Sequence, residues 1–175
     1  MRKTLLIISL GLYCCSVSAV DVTIQINGGI LAQSCNVSSQ DLTKNINFPD
    51  LNPGDFSYSG ATSVEQGFSI HLENCTGSVS NLTYEFSGEA DNTDPTLLKV
   101  LGKGSNHEGG TASGLAIEIL DDKKNRIDLN SVHPLNTTIS SNAYILDFFL
   151  RYRSTENKVG SGNASSVVYL DIYYE

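Results

Sequence analysis

The sequence contains no tryptophan, and basic residues are scarce. A buried tryptophan on the third strand is a hallmark of antibody-type immunoglobulin domains, so its absence argues against that class. Only 11 lysines and arginines stand against 19 acidic residues, for a net charge of −8. Nucleic-acid binding requires a basic surface that neutralises phosphates, and this composition therefore predicts no such partner.

The chain also lacks an apolar run of the ~18 residues that a membrane-spanning helix needs. The apolar stretch Leu5 to Tyr13 is shorter; it follows a basic start and precedes small residues ending at Ala19. This pattern is typical of a secretory signal peptide and predicts cleavage after residue 19. The remaining 156 residues carry 9 basic and 19 acidic side chains, a net charge of −10. Lipid attachment at Cys14 or Cys15 is the alternative, but bulky Tyr13 precedes the first of these cysteines.

Patterns that carry catalysis or bind metals are missing too. The segment 110–114 places its serine one position too late for a nucleophile elbow. Acidic residues between Glu89 and Asp94 lack the spacing and glycine of a calcium loop, which favours a solvated turn. No histidine has the spacing of a metal ligand pair; the three are His71, His107 and His133. The sequence therefore predicts no enzymatic activity, no metal site and no cofactor.

Apolar residues instead alternate with polar ones at period two, which indicates β-strands with one buried face. Several short strands separated by turn-rich segments predict a single all-β domain, either a sandwich or a barrel. Residues 94–102 are the one candidate for a short helix, and a strand or loop fits them nearly as well. The alternating segments lie at residues 20–30, 68–75, 82–86, 117–119, 144–152 and 168–174.

Two of the four cysteines leave with the signal peptide, and Cys35 and Cys75 remain. Export would bring this pair into an oxidising compartment, where disulfides persist, so we predict that they form a disulfide. Five N-x-S/T sequons leave open a eukaryotic, glycosylated immunoglobulin-like domain as an alternative. The sequons begin at Asn36, Asn74, Asn81, Asn136 and Asn163.

Several stretches together resemble subunits of chaperone–usher fimbriae, particularly minor or adaptor subunits of type 1-like pili. The most specific feature is at the carboxyl end, where a glycine fourteenth from the end and a penultimate tyrosine are joined by an alternating apolar strand. The matching stretches are residues 21–28 leading to Cys35, 67–75, 86–91 and 113–120, with Gly162 and Tyr174 at the end.

This resemblance implies an incomplete immunoglobulin-like β-sandwich, the pilin fold, over residues 34–175. It also implies that residues 20–33 form an N-terminal extension that donates a strand to a neighbouring subunit. The donor residues would be Val22, Ile24, Ile26, Gly28 and Ile30. The strand bordering the groove, which receives first a chaperone and then a donor strand, would contain Gly162, Val168, Leu170, Ile172 and Tyr174.

The function implied by the resemblance is that of a structural subunit of a bacterial cell-surface fimbria that supports adhesion. Its partners would be a periplasmic chaperone, an outer-membrane usher and the neighbouring subunits. The alternative is a single-domain adhesin or tip subunit that binds a host ligand directly. Tip adhesins of this family usually carry an additional lectin domain, for which 156 residues leave no room beside the pilin pattern.

Overall fold

The computed structural model describes residues 34–102 and 110–174, so the predicted signal peptide and donor extension lie outside it. Within these ranges, no helix has the length and apolar character that crossing a membrane requires. The described residues form one short 3-10 helix, Pro53–Asp55, and nine strands. The strands are β1 (Ser34–Val37), β2 (Gln66–Thr76), β3 (Leu82–Gly88), β4 (Leu98–Lys99), β5 (Leu115–Leu120), β6 (Arg126–Ile127), β7 (Val132–Pro134), β8 (Ala143–Ser154) and β9 (Val168–Tyr174).

The strands form two antiparallel sheets. The larger sheet has the order β1-β2-β8-β5-β4, with β6 also paired to β5, and the smaller has the order β7-β3-β9. Strand β8 joins the larger sheet together, because its first half pairs with β2 and its second half with β5. The all-β prediction is confirmed, and the alternating segments from residue 68 onward coincide with β2, β3, β5, β8 and β9.

Aromatic side chains fill the centre of the core between the two sheets. Phe86 on β3 and Phe148 on β8 lie perpendicular to each other, with ring centroids 4.9 Å apart. Tyr84 and Phe68 also pack against Phe148, at 5.4 and 5.6 Å between centroids. The pairs of Phe148 with Phe86 and with Tyr84 are edge-to-face, an arrangement that contributes beyond the effect of burial alone. The cluster therefore sets how β3 and β8 face each other.

The sequence predicts one buried face for β5, but in the structure all six of its residues are buried. Its outer face is covered by arginine side chains that surround Glu118. The Glu118 carboxylate accepts hydrogen bonds from Arg126 Nε at 2.8 Å and Arg151 Nε at 2.6 Å. Burial by itself raises the pKa of Glu118, but these arginine hydrogen bonds outweigh it, and the pKa is lowered.

Residues 94–102 form a turn followed by β4, not a helix. The side chain of Asp94 accepts hydrogen bonds from the main-chain N–H of Thr96 at 3.1 Å and from its hydroxyl at 2.6 Å. The neighbouring Asp91 similarly accepts from the N–H groups of Thr93 and Asp94. Local bonds of this kind stabilise turns at the expense of helix, which explains the outcome.

The disulfide between Cys35 and Cys75 is present and joins β1 to β2, which confirms that prediction. Near it, the chain after β1 is fastened to β2 through Asp41, whose side chain is only 2% exposed. Asp41 Oδ2 accepts a hydrogen bond from the main-chain N–H of His71 at 2.6 Å, and Lys44 Nζ lies 2.5 Å from Oδ1. Lys44 and then this N–H hold the pKa of Asp41 well below its ordinary value of 3.8.

This depressed pKa predicts how stability depends on pH. The ionised Asp41 stabilises the fold at any pH above its ordinary pKa, and that contribution is lost as the pH falls below it. We expect Asp41→Asn to lower the free energy of unfolding by about 2 kcal/mol at neutral pH, with the difference shrinking as the pH drops below about 4. Urea unfolding from about pH 7 to pH 2 measures this, with the exposed Asp50→Asn as the matched control. A difference that stays constant over this range would contradict the prediction.

Candidate functional site

Strand β9 lies at the edge of the smaller sheet. It pairs with β3 along its whole length, from Gly88 opposite Val168 to Leu82 opposite Tyr174. No second strand among residues 34–102 and 110–174 pairs with it. Strand β1 is likewise an edge strand of the larger sheet, and the Tyr174 hydroxyl donates a hydrogen bond to the Cys35 carbonyl at 3.1 Å. The edges of the two sheets therefore approach each other at this end of β9.

Burial alternates along β9, as its sequence pattern predicts. On β3, the inward residues Leu82, Tyr84 and Phe86 are at most 6% exposed, whereas the inward residues of β9 remain only partly buried. The edge strand therefore leaves an apolar strip partly uncovered beside main-chain groups that no described strand pairs. This partly buried strip, which packs against the core, consists of Val168, Leu170, Ile172 and Tyr174.

A strip of this kind is suited to pairing with another extended chain. Unpaired main-chain N–H and C=O groups along an edge bind an added strand, while alternate side chains of that strand enter the apolar strip. Tyr174 ends the strip with its ring partly buried, and burial raises the pKa of its hydroxyl, which stays protonated and donates to Cys35. The site is therefore suited to bind another chain by strand pairing and by burial of apolar side chains.

Gly162 lies in the loop before β9, outside the strand itself. A Cβ atom at this position would lie 2.5 Å from the main-chain nitrogen of Ala112 and 2.6 Å from the carbonyl carbon of Thr111. Glycine is therefore required here by the close approach of another chain segment. Just after it, Ser165 and Leu101 exchange two main-chain hydrogen bonds of 2.6 and 2.9 Å, which fix where β9 begins.

The structure places the four apolar residues predicted for the C-terminal strand on one face of β9, and the five predicted donor residues lie outside the described residues. Sequence reasoning missed Asp41 and Glu118, because each has a partner distant in the chain, His71 for Asp41 and Arg151 for Glu118. A signal was present for Glu118, an acidic residue within the apolar run 115–120. Its cross-strand neighbour Arg151 emerges only from the register of β5 against β8.

Two antiparallel sheets that face each other across one aromatic core define an immunoglobulin-like β-sandwich. The sequence comparison is equally clear, since the fimbrial protein family is matched over residues 24–175. This chain therefore belongs to the fimbrial protein family, whose members are structural proteins of cell-surface fimbriae.

Individual relatives agree with this assignment. The fimbrial-like protein YcbU of Escherichia coli (strain K12) is 36% identical over 155 residues, covering 88% of this chain and 84% of the relative. Protein FimG of the same strain is 27% identical over 165 residues, covering 94% of this chain and 92% of FimG. Both matches extend over most of the two chains compared.

Solved structures show the same fold. A type I fimbria protein of Burkholderia pseudomallei superposes with a TM-score of 0.61 and 26% identity, over 80% of this chain and 88% of that protein. The P pilus rod subunit PapA superposes with a TM-score of 0.62 over 81% of this chain and 99% of PapA. Its identity is 18%, so this likeness concerns the fold alone.

Proposed function

We propose that this chain is a fimbrial subunit that polymerises by donor-strand exchange. The observation that supports it is the edge strand β9, whose inward residues are partly uncovered although those of its neighbour β3 are buried. In this proposal the uncovered strip is the border of an acceptor groove. A strand from another chain completes the sandwich by pairing with this edge and burying its apolar side chains in the groove.

The proposed sequence of partners begins in the periplasm. A chaperone first covers the groove with one of its own strands, which keeps the apolar strip from aggregating. At an outer-membrane usher, the N-terminal extension of the next subunit replaces the chaperone strand. The chain thereby becomes one structural link in a cell-surface fibre that supports adhesion, without any catalytic step.

Residues 20–33 are the segment that this chain would donate to its own neighbour. Val22, Ile24, Ile26 and Ile30 share one face of an extended chain because side chains alternate along a strand. Burial of each contributes about 1.5–3 kcal/mol before the costs of ordering are subtracted. Gly28 lies in the same phase, where a missing side chain lets the donor backbone pass close to the acceptor.

Because side chains alternate along residues 20–33, the proposal can be tested by substituting one face of this segment and using the opposite face as the control. We expect Ile24→Asp with Ile26→Asp to stop fibre growth, because two charges would have to enter apolar pockets of the neighbour. The matched variant Thr23→Asp with Gln25→Asp adds the same charge on the opposite face and should assemble at close to the normal level. The measurements are fibre mass sheared from cells and the amount of chain that co-purifies with the chaperone.

Chaperone capture should be unchanged in both variants, because it depends on β9 and not on the donor segment. Equal fibre mass from both double variants would contradict the assignment of residues 20–33 as a donor strand. Loss of chaperone capture in the Ile24/Ile26 variant alone would place these residues inside the subunit's own fold instead.

A further inference from the structure

The outward face of β9 carries a carboxylate and two tyrosines beside the unpaired edge. Side chains alternate along a strand, so Tyr169, Asp171 and Tyr173 lie on the side of β9 opposite the apolar strip. The two tyrosines are 66% and 43% exposed. A strand that pairs with this edge would therefore place its own outward residues beside these three side chains.

The carboxylate of β9 stands directly opposite another carboxylate. In the register of β9 against β3, Asp171 pairs with Glu85. Side chains opposed in this way on one face of an antiparallel pair lie about 5 Å apart, and like charges in this arrangement are destabilising. Within residues 34–102 and 110–174, neither carboxylate forms an ion pair. Their mutual repulsion is therefore not offset by a cation of this part of the chain.

The side chains that do reach these carboxylates in the described residues are neutral hydroxyl groups. The Ser87 hydroxyl donates to Asp171 Oδ2 at 3.3 Å, and the Tyr173 hydroxyl donates to Glu85 Oε2 at 3.5 Å. Both distances exceed the usual range of about 2.5–3.0 Å for hydrogen bonds between oxygens. Long bonds from neutral donors balance little charge, so this face retains a local negative potential.

Asp171 is the member of the pair that an added strand would meet. Glu85 already has a neighbour on each side, Val132 of β7 and Asp171 of β9, whereas the other side of Asp171 is the open edge. A cation placed there would relieve the repulsion, and a third carboxylate would add to it. Tyr169 and Tyr173 lie two positions away on the same face, where their rings offer apolar surface to the stem of a long cationic side chain.

We propose that Asp171 selects which strand pairs with β9. A strand with lysine or arginine at the outward position beside Asp171 is favoured, and a strand with aspartate or glutamate there is disfavoured. This inference rests on the proposed strand exchange, in which the inward side chains of the added strand supply most of the affinity. It adds a second criterion on the opposite face, because specificity is a difference of affinities and repulsion of the wrong partner contributes to it.

The segment that this chain would itself donate is not the favoured match. Its outward positions contain one acidic residue and no basic residue; they are Asp21, Thr23, Gln25, Asn27 and Gly29. A second copy of this chain is therefore a poorer donor to β9 than a subunit whose extension carries a cation at the selected position. The selection favours a different subunit as the neighbour at this edge.

The test lets two peptides compete for the mature chain, residues 20–175. Each peptide is residues 20–32 with one outward position changed, to arginine in the first peptide and to glutamate in the second. Four such pairs are needed, because the register of the added strand decides which position lies beside Asp171; they substitute Thr23, Gln25, Asn27 or Gly29. Native mass spectrometry resolves the two complexes by mass. We expect the arginine complex to exceed the glutamate complex about tenfold at one position, and by less at the other three.

Variants of the protein show whether Asp171 causes this preference. Asp171→Asn keeps the size of the side chain and removes its charge, so the preference should fall to about threefold or less, the level set by the negative charge of the whole chain. The matched control Asp50→Asn removes an exposed charge away from β9 and should change the preference less than about 1.5-fold. The peptide and protein substitutions together form a double-mutant cycle, which isolates the direct interaction at Asp171.

A preference that Asp171→Asn leaves unchanged would overturn the inference. Equal binding of the arginine and glutamate peptides at all four positions would overturn it as well, while leaving the proposed strand exchange intact. If the unmodified peptide of residues 20–32 and all of its variants fail to bind, strand exchange at β9 is itself contradicted, and the selection by Asp171 with it.

Discussion

Replacing Leu170 and Tyr174 together by serine is expected to abolish capture of this chain by a periplasmic chaperone. Both side chains belong to the apolar strip of β9 and pack against the core while remaining partly uncovered. Covering a large apolar side chain contributes about 1.5–3 kcal/mol, so losing two should weaken capture by about a hundredfold or more. The measurement is the amount of chain that co-purifies with a tagged chaperone from the periplasm.

Two matched variants separate loss of the strip from general damage to the strand. Tyr169→Ser with Tyr173→Ser changes the exposed face of the same strand and should leave capture near normal. Leu170→Met with Tyr174→Phe keeps the apolar volume, although it removes the hydrogen bond to Cys35, and should restore most of the capture. Equal capture of the inward and outward serine pairs would rule out β9 as the chaperone-binding edge.

Removing the disulfide is expected to have the largest effect on the stability of the domain itself. The bond closes a loop with a sequence separation of 40 between Cys35 and Cys75. In the chain-entropy description, a loop of this length contributes about 4 kcal/mol, by restricting the unfolded chain. We therefore expect Cys35→Ala with Cys75→Ala to lower the melting temperature by about 10 °C, measured by circular dichroism.

Reduction of the wild-type chain provides the control for this prediction. A reducing agent should lower the melting temperature of the wild-type chain to nearly that of the double-alanine variant and leave the variant itself unchanged. A shift of less than about 2 °C in the variant would mean that β1 is held to β2 by its other contacts. Asp41, which holds the segment after β1 against β2, would then be the residue to substitute next.

Much of the fold follows from local patterns in the sequence. Alternation at period two identified β2, β3, β5, β8 and β9, because a strand with one buried face must place apolar side chains at every second position. For β5 the same rule is wrong, because it predicts that Glu118 faces solvent. Its carboxylate is buried because Arg126 and Arg151 cover it, and Arg151 is 33 residues away in sequence.

For the candidate site, too, the sequence shows one part and only the tertiary structure shows the other. The phase of Val168, Leu170, Ile172 and Tyr174 is visible in the sequence, but their partial exposure is not. That exposure depends on β9 being an edge strand, which is a property of sheet order. The role of Gly162 likewise depends on a segment some fifty residues earlier that leaves no space for a Cβ.

By itself, the sequence determined the alternating faces of the strands, the pair of cysteines left for a disulfide and the family resemblance. These are properties of residue type and short spacing, which hold before any strand finds its partner. Only the tertiary structure decided which strands are edges and which charges meet across strands. Those outcomes depend on register and on the packing of two sheets, which join residues far apart in the chain.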